Sequence, residues 1–158
     1  MKATTLLERQ HRDLEQLCEA VEWGSASIRA SLLPQLAGDL AAHIAVEEQL
    51  LYPAARDALH DEDVIDGVAG GSALHARAIR ALDRALDAAL DGEEFTSAIE
   101  ELRATVAKHA AQEEERIFRR LEGTLEPAAM RELGASMMSL YDTKVEAGYA
   151  ADAHGRGR

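Results

Sequence analysis

His43-Ile-Ala-Val-Glu47-Glu48-Gln-Leu-Leu-Tyr52 aligns without gaps on His109-Ala-Ala-Gln-Glu113-Glu114-Glu-Arg-Ile-Phe118. Histidine, alanine and both glutamates coincide, and each segment ends in an aromatic residue. Residues four apart share one face of a helix, so His43 with Glu47, and His109 with Glu113, can grip a common ion. The repeat therefore predicts two similar helical hairpins related by a pseudo-two-fold axis, an arrangement that suits a two-metal site.

Working outward, both segments extend apolar stripes stepped by three and four residues. Leu36, Leu40, His43, Glu47 and Leu50 form one; Phe95, Ile99, Leu102, Val106, His109 and Glu113 form the other. Leu7, His11, Leu14, Cys18 and Val21 make a third stripe, and Val68, His75, Ile79, Leu82 and Leu86 a fourth. These are the seams of an all-α fold, an antiparallel up-down-up-down four-helix bundle. Met130, Leu133, Met137 and Leu140 mark an additional C-terminal helix packed outside it.

Thr5 with Glu8 reads as a capping box for the first helix, which Gly24 stops. Ser31 is the expected cap of the second, placing Pro34 in its first turn, where the missing amide is harmless. Pro53 ends or kinks that helix. Asp61 to Gly71 is expected to be looser, with a firm third helix from Ser72 to Leu90. The bundle then occupies about residues 4–121, the extra helix about 127–147, the domain 1–148, and residues 149–158 a disordered tail.

Composition agrees with this. Of 158 residues, 47% are apolar but only 4% aromatic, a balance that favours helices over sheets. The net charge of -12 argues against nucleic acid and anionic membranes as partners. That acidity serves solubility, with an acidic docking face as the alternative. No stretch reads as a membrane span or a signal peptide. Cys18 is the single cysteine, so no internal disulfide forms, and a reducing cytoplasm is the expected location. A buried, packed thiol is the reading for Cys18.

Six seam positions carry polar side chains where the pattern asks for apolar ones: His11, His43, Glu47, His75, His109 and Glu113. Burying such groups without partners costs roughly several kcal/mol each, enough together to consume a domain's net stability. Metal ions compensate them directly, since carboxylates and neutral imidazoles are their ligands. The histidines recur at intervals of 32, 32 and 34, which brings one per helix to a common level. His60 and His154 fall outside the seams. Glu48 and Glu114 are expected to face outward and stay solvated. The zinc-protease motif, the nucleophile elbow and the phosphate-cradling glycine loop are missing.

One histidine, then His-x-x-x-Glu, then one histidine, then His-x-x-x-Glu resembles the hemerythrin-like, or HHE cation-binding, family. Tyr52-Pro53 strengthens the likeness. Oxygen-carrying members have a second histidine where this chain has Ile79, so the resemblance is nearer to bacterial, in particular mycobacterial, hemerythrin-like proteins. It implies two iron ions joined by an oxo or hydroxo bridge. His11 and His43 are expected on one iron and His75 and His109 on the other, with Glu47 and Glu113 bridging. Each iron then has about five ligands and an open position. Tyr52 is a possible additional ligand, but its offset from His43 turns it half a revolution away on an ideal helix, so it needs a kink at Pro53.

The implied activity is reaction with a small molecule, O2, H2O2 or NO, as in peroxide breakdown or nitric oxide consumption. No catalytic group beyond the metal ligands stands out, and enzymatic turnover is left open. Reversible oxygen binding or storage is the alternative, as is an iron- or oxygen-sensing module acting through a protein partner that the sequence does not name.

Overall fold

The computed structural model describes residues 1–149, and among these all regular structure is helical. The first bundle element is α1 (Ala3–Trp23). The second is α2 (Ala26–Val46), which runs through a π-helical turn (Glu47–Leu51) into α3 (Tyr52–Ala58). The third is α4 (Glu62–Asp87). The fourth is α5 (Glu93–Glu113), which passes through a second π turn (Glu114–Phe118) into α6 (Arg119–Thr124). The outer helix, α7 (Pro127–Ala147), packs on α1 and α2. No helix of the described residues is long and apolar enough to cross a membrane.

The helix starts differ from the sequence expectations, and tertiary contacts explain the differences. Lys2, not Thr5, precedes the first turn, and no side chain caps it. That turn is anchored from outside. The Thr4 hydroxyl donates to Glu122 Oε1 at 2.6 Å, and Gly134 of α7 lets the backbone of Met1 to Ala3 lie flush against it. Any side chain at 134 would strike that backbone.

Ser25 replaces Ser31 as the cap of α2, its Oγ accepting from the Ile28 amide at 3.3 Å. Pro34 therefore sits inside the helix, where it costs about 3 kcal/mol. Arg29 helps to hold the extended start. Its guanidinium donates to the carbonyls of Val21, Glu22 and Leu90 at 3.0, 2.7 and 2.5 Å and lies over the Phe95 ring. One side chain thus ties α1, α2 and the loop after α4 together.

The glycine-bearing stretch is also helical rather than loose. Asp61 caps α4, accepting from the Asp63 amide at 2.9 Å, and Arg120 pairs with both aspartates. Gly71 sits beneath the Tyr52 ring, where a Cβ would collide with the phenol hydroxyl. The glycine is needed for that approach, not for a turn.

Two apolar cores flank the seam histidines. One gathers Leu14, Cys18, Leu36, Leu40, Ile79, Leu82, Phe95, Leu102 and Val106. The other gathers Leu6, Leu7, Leu51, Tyr52, Ile117, Phe118, Met130 and Met137. The π turn shifts the second stripe by one position, so Leu51 is fully buried and Leu50, the expected core residue, is only half-buried. Of the expected tail at 149–158, residues 150–158, with His154, lie outside the described residues, whereas Tyr149 packs against the first core and donates its hydroxyl to Asp83 Oδ1 at 2.5 Å.

Candidate metal centre

All four seam histidines and both seam glutamates are buried, each at most 6% exposed. They meet at one level of the bundle because each lies one helical turn from apolar neighbours on its own stripe. Glu47 lies at the centre. Its Oε1 is 2.7 Å from His43 Nε2 and 3.3 Å from His11 Nε2, while its Oε2 is 2.7 Å from His75 Nε2 and 2.8 Å from His109 Nε2. Glu113 lies across the same gap, with Oε1 3.6 Å from His11 Nε2 and Oε2 3.3 Å from His109 Nε2. Ligand atoms of His11, His43, Glu47 and His109 all fall within 4.8 Å of one another.

Outward-facing nitrogens fix the ring orientations. His11 Nδ1 donates to Glu114 Oε1 at 2.9 Å, His43 Nδ1 to Gln10 Oε1 at 2.8 Å, and His75 Nδ1 to Glu48 Oε1 at 2.8 Å. With Nδ1 turned outward to an acceptor, each ring aims its Nε2 inward, where it can offer a lone pair to a cation once any proton on it has left. Glu48 and Glu114 thus depart from the expected solvated orientation. The π turns that begin at the end of each His-x-x-x-Glu motif carry them to the neighbouring helix. A residue next to a ligand on its own helix serves a ligand on another. Gln10 was legible in no motif, because an amide acceptor carries no spacing signal of its own.

The π turn also resolves the position of Tyr52. The Tyr52 amide donates to Glu47 O, five residues back, so the turn takes up one more residue than an α turn. The side chain is thereby rotated into the seam by the π turn, and Pro53 follows in the first turn of α3. The Tyr52 hydroxyl faces carboxylates, 2.9 Å from Glu113 Oε2 and 3.4 Å from Glu47 Oε2.

Electrostatics set the protonation of these groups. Burial opposes the charge on Glu47, but His43 and His109 outweigh it and hold the carboxyl well below its usual range. Burial and the Glu47 charge push Glu113 well above its own. Desolvation lowers His43 to about 4. For His75 burial is outweighed by the hydrogen bonds to Glu47 and Glu48, which raise it to about 9. Like charges this close cannot both ionise unaided.

Among the seam ligands of the described residues, two buried atoms find no hydrogen-bond partner, His43 Nε2, despite its closeness to Glu47, and Glu113 Oε1; Gln10 Nε2, behind His43, is a third. A nitrogen lone pair and a carboxylate oxygen, both aimed at the same gap and unpaired, are the donor set that a cation completes. His60 is exposed, as expected of a bystander, and Ile79 packs in the apolar core.

Comparisons with known proteins agree with the geometry. No curated protein matches the chain. Among solved structures, a hemerythrin HHE cation-binding domain-containing protein from Mycobacterium kansasii is similar in fold. The TM-score is 0.76 at 18% identity, covering 93% of this chain and 89% of that one. The family model for the hemerythrin HHE cation-binding domain matches residues 2–126, a span that contains every seam histidine and glutamate described above. The chain belongs to the hemerythrin HHE cation-binding domain family.

Proposed function

We propose that this chain is a non-haem di-iron protein that reacts with a small molecule, O2, H2O2 or NO, and that peroxide or nitric oxide removal is its activity. The observation that carries the reading is the split of each carboxylate. Glu47 turns one oxygen to His11 and His43 and the other to His75 and His109. Glu113 turns one to His11 and one to His109. That is how a bridging carboxylate divides itself between two metals. His11 with His43 would hold one iron, His75 with His109 the other, and Glu47 and Glu113 would bridge. Bound iron supplies the electrons, one per metal, that such small molecules exchange.

The protein supplies the surroundings. A small pocket opens on the four histidine rings, lined otherwise by Leu14, Leu40, Leu74, Ala78, Thr105 and Val106. The Thr105 hydroxyl is spent on Glu101 O at 2.7 Å, so apart from the imidazoles the walls are apolar. The space admits about one water-sized molecule, which suits a diatomic or peroxide and excludes larger substrates. Tyr52 holds a proton on the carboxylate side by donating to Glu113, and acts as a donor rather than a ligand.

Metal analysis with the absorption spectrum of the isolated protein tests the centre, and mixing the reduced protein with each small molecule tests the reaction. Two irons per chain and rapid consumption of peroxide or NO are expected. Iron-loaded protein inert to all three would refute the activity. A stable, reversible oxygen complex would favour carriage instead.

A further inference from the structure

The internal repeat pairs His11 with His75, His43 with His109, Glu47 with Glu113 and Glu48 with Glu114. Carried outward, it exposes places where the two halves differ. Phe118 stacks on His11, ring centroids 5.8 Å apart, and its counterpart Tyr52 stacks on His75 at 5.7 Å. Glu114, which receives His11, is gripped on both oxygens by Arg12 Nη2 at 2.7 and 2.9 Å. Glu48, which receives His75, takes the neutral Ser72 hydroxyl at 3.1 Å. The position that corresponds to Arg12 is Ala76.

We infer that the two halves bind cations unequally, the His75 half tightly and the His11 half loosely, with Arg12 as the positioning residue that sets the difference. This rests on the two-metal reading above. A carboxylate that accepts an imidazole Nδ1 proton makes the opposite nitrogen a stronger donor to metal. At Glu114 the guanidinium shares that negative charge and leaves less of it to back His11. Its own positive charge also opposes an incoming cation. Glu15 approaches Arg12 at 3.8 Å, but an exposed pair one turn apart offsets little. Among the described residues no Lys or Arg pairs with Glu48, whose other partner is the neutral Ser72 hydroxyl, so more of its charge supports His75.

The test titrates metal-stripped protein with cobalt(II), a divalent ion visible by absorption, and follows heat and spectrum together. Wild type should bind in two steps separated by at least about tenfold, within the range that outer partners impose. His75→Ala should abolish the tighter step and His11→Ala the looser. Arg12→Ala trims a half-exposed side chain to the residue found in the other half, and should narrow the gap by strengthening the looser step. Glu48→Gln should narrow it from the other side, weakening the tighter step about 10–100-fold. Two equal steps in wild type, or an unchanged ratio in Arg12→Ala with native circular dichroism, overturns the inference and leaves the metal centre standing. Failure to bind cobalt at all overturns both.

Discussion

The Tyr52 hydroxyl donates to Glu113 Oε2 at 2.9 Å, joining the ends of two helices 61 positions apart in the chain. Burial, with the charges of Glu47 and Glu113, holds the phenol above its usual range, so it stays protonated and donates. Tyr52→Phe should keep the full metal content while lowering the stability of the metal-stripped protein by about 1–2 kcal/mol, as one hydrogen bond is lost. Elemental analysis and urea unfolding read the two quantities. A variant that retained only half its metal would make Tyr52 a ligand.

Gly71 is the partner of that arrangement. Gly71→Ala drives a methyl group into the phenol hydroxyl and should destabilise the protein by about 1–3 kcal/mol. Removing the hydroxyl in Gly71→Ala/Tyr52→Phe should recover part of the loss, because the two sites couple through one contact. Strictly additive effects in the double-mutant cycle would show that the collision is not the cause.

Metal affinity should rise with pH between about 7 and 9. His75, raised to about 9, carries a proton at neutral pH that a cation must displace, whereas His43, lowered to about 4, carries none. Less proton competition at higher pH means tighter binding. Competition against a chelator across this range reads the slope; a flat profile contradicts the assignment. Stripping the metal should also lower the thermal midpoint, since ions that bind only the folded chain stabilise it.

Cys18 should be inert in the native protein. Burial pushes its thiol up to about 12, and it packs in the apolar core. Iodoacetamide at pH 8 should leave it unmodified until denaturant is added. Rapid native labelling would place the thiol at the surface.

The bundle and its six polar intrusions were legible because both are periodic. Leu14, Leu36, Leu82 and Phe95 fall on stripes, and His11, His43, His75 and His109 interrupt them at near-equal intervals. Periodicity survives in a bare sequence because a helix buries one face regardless of its neighbours. The expected starts at Thr5 and Ser31 failed for the complementary reason. Their replacements depend on tertiary contacts: Gly134 and Glu122 meet the first turn of α1 from other helices, and Arg29, within α2 itself, reaches back to α1 and the loop after α4.

By itself the sequence determined which residues of the regular α-helical stripes face inward, Leu50 in the π turn excepted, and hence the four-helix bundle and the histidines and glutamates at its centre. Only the tertiary structure decided how those groups are oriented. The π turns rotate Tyr52 into the seam and deliver Glu48 and Glu114 to histidines of other helices. Local spacing encodes the face of a single helix; the angle at which a side chain meets its neighbour depends on two backbones at once.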